Sequence, residues 1–214
     1  MIRVAGVQIG KLVSEGDSNS TDTLSRHWTT GFYKMPISDR VKMTAMGIAG
    51  DHVANTKNHG GIDKAVLCYA AVHYDAWAAE HPELAIGFGG FAENLTMAEM
   101  DEQTVCLGDR YRIGSCEIEV SQPRQPCWKI ARRWGVKSLV KETTQTGRTG
   151  WYVRVVVEGE LQVGDEVTVL ERPCPTWTVA RANDVMFGRR SDRAEVIELM
   201  SVPLLAEAWK KDLA

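Results

Sequence analysis

No C-x-x-C pair occurs among the five cysteines, Cys68, Cys106, Cys116, Cys127 and Cys174. An odd count without paired spacing argues against a disulfide framework and for a reducing compartment. No apolar run approaches the ~18 residues a membrane helix needs; the longest, residues 65–72, is far shorter. No unbroken apolar segment with a cleavage site marks the opening MIRVAGVQIGKLV as a secretory leader. These readings predict a cytoplasmic protein with no membrane contact. An excess of positive charge is also missing, with 25 Lys and Arg against 28 Asp and Glu, so no nucleic-acid footprint is expected. Gly87-x-Gly89-Gly90 is neither a Rossmann fingerprint nor a P-loop, and no Gly-x-Ser-x-Gly elbow is present. His52 and His59 lack a third Cys or His at zinc spacing.

What is there is ordinary in bulk. The 214 residues are 44% hydrophobic and 25% charged. Surface scaling predicts roughly 10,000 Å² of folded surface, enough burial for a core without metals or disulfides. Val4, Val7, Ile9 and Leu12, with Gly6 and Gly10 between, read as a bent strand. Residues 47–61 are rich in Gly, Asn, Asp and His and read as a long loop. Residues 65–69 read as a strand running into a helix that Pro82 stops. Thr96 and Glu99 have capping-box spacing, which predicts a helical turn there.

The middle alternates with period two. Tyr111 and Ile113, then Cys116, Ile118 and Val120 across Gly114-Ser115, read as a hairpin. Trp151, Val153, Val155 and Val157 continue the pattern, and a Gly-Asp entry recurs at Gly164-Asp165. After Pro173 and Pro175 the pattern becomes helical, with Thr178, Asp192 and Ser201 as expected N-caps. The chain therefore reads as mainly β with added helices: a β-rich domain over residues 1–172, then a three-helix unit over residues 173–214. Short strands with glycine turns favour a closed barrel or sandwich over a parallel sheet.

Three stretches can carry chemistry. Pro123-Arg124-Gln125-Pro126-Cys127 is stiffened by two prolines and leads into a helical segment. Cys127 near a helix start, with Arg124 and Lys129 beside it, favours thiolate, the form a soft metal requires; the alternative is a thiol that only packs. His59-Gly60-Gly61-Ile62-Asp63-Lys64 can aim successive backbone N–H groups at an anion, with Lys64 and His59 adding charge; the alternative is a tight turn. Phe91-Ala92-Glu93-Asn94 offers acceptor and amide groups beside a glycine-rich approach, or else only bonds its own backbone.

In order, Thr30-Gly-Phe-Tyr-Lys34-Met-Pro36, Gly47-Ile-Ala-Gly50-Asp51, His59-Gly-Gly-x-Asp-Lys64, Phe91-x-Glu-Asn-Leu95, Leu107-Gly-Asp109, Ser121-Gln-Pro-Arg-x-Pro-Cys127 and Thr149-Gly-Trp-Tyr-Val-Arg154 resemble the MOSC domain, named after the C-terminal region of molybdenum cofactor sulfurase. The trailing helices resemble the three-helix domain of the 6-N-hydroxylaminopurine resistance proteins. The resemblance implies a closed β-barrel that binds molybdenum cofactor (molybdopterin), with Cys127 as catalytic residue and metal ligand. It places Arg124, His59, Gly60, Gly61, Asp63 and Lys64 at the pterin or its phosphate, with Lys34, Glu93 and Asn94 completing the pocket. Ala92 stands where the family has glycine, so a positive φ there would strain the loop. The implied activity is reduction of N-hydroxylated bases or related N-oxygenated compounds; the alternative is a cofactor carrier or a sulfur carrier acting through Cys127. After Cys127 only Cys174 remains, so no local four-cysteine cluster can form. A reductase would thus need an external flavoprotein or iron–sulfur donor, and the helical unit would be its dock or a homodimer contact.

Overall fold

The computed structural model describes residues 1–189 and 192–214. In chain order the strands are β1 (Arg3–Gly10), β2 (Val13–Glu15), β3 (Trp28–Thr30), β4 (Lys34–Pro36), β5 (Val41–Thr44), β6 (Gly47–Ile48), β7 (Val66–Ala70), β8 (Leu95–Ala98), β9 (Arg110–Ile113), β10 (Cys116–Pro123), β11 (Trp151–Val157), β12 (Gly159–Leu161) and β13 (Val167–Glu171). The helices are α1 (His73–Glu80), α2 (Lys129–Trp134), α3 (Leu139–Thr146), α4 (Val179–Met186), α5 (Arg193–Met200) and α6 (Glu207–Leu213).

Among the described residues one sheet has eight strands in the order β13-β9-β10-β11-β7-β8-β1-β4. The alternation read from residues 110–120 is the β9–β10 hairpin, with Ile118 opposite Tyr111 and Cys116 opposite Ile113. β7 and β8 pair in parallel, which a tight turn cannot achieve; the segment carrying α1 supplies the crossover. β1 bends as its glycines imply, its register to β8 shifting between Val4 and Gly6. Beyond β4 the ladder stops, but Arg3 bridges Glu166, and Val167 N donates to Ile2 O at 3.0 Å. The sheet is thus a curled half-barrel, and the expected barrel closure reduces to that bridge and the backbone bonds around it, Val4 N to Asp165 O at 3.0 Å and Gly164 N to Val4 O at 2.9 Å. The mainly β reading with added helices holds.

Two cores form. The larger lies inside the curl and includes Val4, Met43, Val66, Leu95, Ile113, Ile118 and Val153, all at most 2% exposed. The same core takes Val179, Ala182, Leu199 and Trp209 from α4, α5 and α6. The helices are also tied by backbone: Val179 N donates to Val105 O at 2.8 Å, and Ala206 N to Ser121 O at 3.0 Å. The smaller core is aromatic, built from Trp28, Phe32, Tyr69, Tyr74, Trp77 and Phe91 with Ile130 of α2 and Leu139 of α3. Tyr69 stacks on Phe91 at 4.8 Å between ring centroids. This second core seats α2, and with it Cys127, two residues before the helix begins. The surface of 10156 Å² matches the scaling expectation.

Two local expectations fail. The segment at Thr96 is the strand β8, not a helical turn, because Leu95, Thr96 and Met97 are all buried between β7 and β1; tertiary burial outweighs the cap spacing. Glu99, at φ 61°, ends that strand. Ser201 ends α5 instead of starting α6, its hydroxyl donating to Ile197 O at 2.8 Å. Thr178 and Asp192 do cap, accepting from Arg181 N and Ala194 N. The helix α3 went unread because Leu139 and Thr143 alone are buried on it.

Candidate functional site

The end of β1, the start of β4 and the long loop after β6 meet at one carboxylate. Asp51 Oδ1 accepts from Gly10 N at 2.6 Å and pairs with the Lys34 ammonium. Asp51 Oδ2 accepts from Asn94 Nδ2 at 2.9 Å. Asn94 is itself held across β7, its Oδ1 accepting from Leu67 N at 3.2 Å and its N donating to Leu67 O at 2.8 Å. Burial lowers the Lys34 pKa, with the Asp51 charge opposing. The crossing of chains here is close: a Cβ on Gly31 would sit 2.0 Å from His52 O, so only glycine fits.

Beside this cluster opens a pocket. Lys34, His59, Gly60, Lys64, Asn94, Arg124 and Cys127 all line it. Seven of the ten residues named from the sequence thus come together, although 93 positions separate Lys34 from Cys127 (127 − 34). Gly60 and Gly61 take φ of 77° and 82°, a conformation glycine alone adopts without strain.

Gly61, Asp63 and Glu93 do not line the pocket. Asp63 faces away: its Oδ1 accepts from Arg154 Nε at 2.5 Å and its carbonyl from the Ser121 hydroxyl at 2.5 Å. Glu93 is fully buried, accepting from Gly89 N at 2.5 Å, Phe91 N at 3.2 Å, the Thr96 hydroxyl at 3.0 Å and the Tyr74 hydroxyl. Its pKa is raised by burial, against the pull of those donors. It ties down the loop that presents Asn94.

The pocket is built for negative charge. Arg124, Lys64 and Lys129 border it, and among the described residues none is ion-paired. Lys64 Nζ donates to Asn58 O at 3.0 Å. Arg124 is 3% exposed, and its buried Nη1 has no hydrogen-bond partner. A buried cationic donor left unspent is costly, so an anionic acceptor beside Arg124 would be favoured. His59 is pushed down to about 4 by burial and then by Lys129, Arg124 and Lys64. It is neutral without a ligand and would gain a proton beside an anion.

Cys127 is half-buried on the same wall. Its carbonyl accepts from Ile130 N at 3.1 Å, which fixes it at the entry to α2. Of the other thiols, Cys68 is pushed up by burial, Cys116 is pushed up to about 11, and Cys106 and Cys174 are also raised. None of these four lines the pocket. Among the described residues no three His, Cys, Asp or Glu converge on one metal position, so a metal here would take the rest of its ligands from the bound group. A thiol, an unspent guanidinium and a glycine loop flanked by cations fit a pterin dithiolene that ends in phosphate. Sequence reasoning gave no role to Asp51 and Tyr152, which also line the pocket with the Lys129 already named beside Cys127. Asp51 and Tyr152 stand inside stretches that carried the resemblance, so the signal was there without a role attached.

A family model described as MOSC domain matches residues 55–168. The chain belongs to the MOSC domain family. A second model, YiiM-like, 3-alpha helix domain, matches residues 177–214 of this MOSC chain. Protein YiiM of Escherichia coli (strain K12) is 31% identical over 84% of the chain and 81% of that protein. Protein YflK of Bacillus subtilis (strain 168) is 38% identical over 85% and 81%. A protein of Gibberella moniliformis named Reductase is 36% identical over 82% of this chain but only 32% of its own length. The crystal structure of YiiM from Geobacillus stearothermophilus superposes with a TM-score of 0.81 over 100% of both chains at 29% identity. No helix among the described residues is long and apolar enough to cross a membrane.

Proposed function

We propose that this chain is a molybdenum-cofactor-binding reductase of N-hydroxylated bases or related N-oxygenated compounds, with Cys127 as the protein ligand to the metal. The observation that carries the reading is the coincidence of Cys127 with the unpartnered Arg124 Nη1 on one pocket wall. Membership of the MOSC family and the relative named Reductase support it. When bound, the cofactor supplies two-electron redox chemistry. The chain's own residues do the rest. Arg124, Lys64 and the Gly60 backbone hold the phosphate end, and His59 takes up a proton beside it. The Lys34–Asp51–Asn94 chain forms the polar edge of the pocket, and Cys127 fixes the metal end.

The overall reaction converts an N-hydroxylamine, two electrons and two protons into an amine and water. The electrons come from an external flavoprotein or iron–sulfur protein. The test is metal and pterin analysis of protein made in cofactor-competent cells, coupled to reduction of an N-hydroxylated purine with a chemical reductant. Molybdenum, pterin and turnover together are expected, and Cys127→Ala loses turnover while its circular dichroism is unchanged. Undiminished turnover in that variant refutes the ligand assignment. Stoichiometric molybdenum without turnover under any donor identifies a carrier, and absence of both metal and pterin overturns the reading altogether.

A further inference from the structure

A second cavity adjoins the first and shares Ala54 and Lys129 with it. It is an open cleft between the segment leading into β3 and the residues of α2 and α3. Its floor is Trp28, 7% exposed, and its wall is Trp128, 53% exposed. The two indoles lie 5.5 Å apart at 55°. The Arg132 guanidinium carbon stands 4.9 Å from the Trp28 ring and 5.4 Å from the Trp128 ring. Arg132 Nε donates to Leu24 O at 3.2 Å, but its buried Nη2 has no partner. Arg26, His27, Lys129 and Lys137 complete the basic side, and no Asp or Glu lines the cavity. Asp22, 3.8 Å from Lys137 Nζ, stands outside the lining.

We propose that this cavity binds planar aromatic anions, with the ring against Trp128 and the anionic group received by the rim cations Arg26, Lys129 and Lys137, the Arg132 guanidinium adding its charge from behind. A half-exposed indole at a cavity wall offers an aromatic face for stacking. Arg132 is held in place by two rings and one carbonyl, so its charge is fixed there. Basic residues without a lining carboxylate favour negative charge over a neutral ring. Trp128 follows Cys127 directly in sequence, so the cavity lies beside the proposed metal ligand. The inference therefore rests on the reductase reading in one respect: it makes this cavity the subsite for the reducible molecule. The ligand affinity itself does not depend on that reading.

The probe is adenosine 5′-monophosphate, titrated into the full chain purified without cofactor and followed by calorimetry. Adenosine and inorganic phosphate are the fragments. The nucleotide is expected to bind more tightly than either fragment. Trp128→Ala should weaken it roughly tenfold or more, the loss expected when a stacking ring is removed. Trp128→Phe should restore most of that affinity, because it restores an aromatic face. The phosphate binding that depends on Arg124, in the first pocket, should be the same in all three proteins. Equal affinity for adenosine and the nucleotide overturns the anionic half of the proposal. Nucleotide binding that survives Trp128→Ala but is lost in Arg124→Met places the ligand in the first pocket and overturns the proposal entirely. Because no cofactor is present, failure here is distinct from failure of the reductase reading, which would appear as missing metal or turnover.

Discussion

Replacing Ala92 with glycine should stabilise the protein. Ala92 sits at φ 63°, and its N–H donates to Gly89 O at 2.9 Å, closing the turn that leads to Glu93 and Asn94. An L-residue with a Cβ pays roughly 1–2 kcal/mol in the left-handed region. Glycine pays nothing there, but its freer unfolded chain returns about 0.4–1 kcal/mol. The Ala92 methyl is only partly buried against the aromatic core, which takes back at most about half of the ~0.8 kcal/mol a fully buried carbon contributes. At mid-range values what remains is about 0.4 kcal/mol in favour of Ala92→Gly. For a chain of this size that is a rise of about 1–2 °C in Tm. Glu99, at φ 61° and exposed, has the same backbone without buried methyl surface; Glu99→Gly should therefore gain at least as much. Thermal unfolding of both variants, by circular dichroism at one scan rate, is the assay. A Tm unchanged or lowered in Ala92→Gly while Glu99→Gly gains would show that the Ala92 side chain holds the loop by packing, and the strain argument would fail.

His59 is lowered from 6.5 to about 4, so the unfolded chain binds the extra proton first and the stability tied to it, full above pH 6.5, is lost as pH falls toward 4. His59→Gln should flatten that slope in urea titrations, and sulfate binding, expected to strengthen and take up a proton over the same window, should lose both features; an unaltered slope refutes the assignment. Arg124→Met should abolish sulfate binding while the ligand-free protein unfolds no earlier than the parent, since an unspent buried charge is removed; a clear loss of ligand-free stability would show that Arg124 is structural. Lys34→Met leaves Asp51 with only Gly10 N and Asn94 and should cost about 3 kcal/mol, a fall of about 6–12 °C in Tm, part of which Asp51→Asn in the same chain recovers; simple additivity of the two changes would refute the pairing.

Much of the architecture follows from period-two alternation. Tyr111, Ile113, Cys116, Ile118 and Val120 point inward because a half-wet sheet buries alternate residues, and that signal survives without neighbours. The Thr96 to Glu99 spacing misled because cap signals are local, whereas Leu95 and Met97 are claimed by strands more than 25 positions away on either side. For the site, residue type pointed to Lys64, Arg124 and Cys127, and the family resemblance added Lys34. Neither could distinguish a residue that faces the pocket from one that holds the wall. Glu93 and Asn94 are adjacent in sequence, yet one accepts four internal hydrogen bonds and the other reaches the pocket. Only the side of the loop on which each emerges decides this, and that depends on the positive φ at Ala92.

The same distinction explains why the helical unit bears on the site at all. Arg154 on β11 reaches Asp63 with Nε, and with Nη1 it reaches Glu119 at 2.8 Å and the Leu204 carbonyl at 2.9 Å. One guanidinium therefore ties the glycine loop to the sheet and to the segment between α5 and α6. Asp212 of α6 is close enough for its charge to oppose the burial that lowers Lys64. Neither Asp63 nor Asp212 lines the pocket. Asp63, which does not line the pocket, thus sets where Gly60 and Lys64 stand. The three helices, buried in the sheet's own core through Leu199 and Trp209, supply a fixed point and a negative charge to a pocket they do not line. Loosening α6 should therefore alter anion affinity before it alters the sheet.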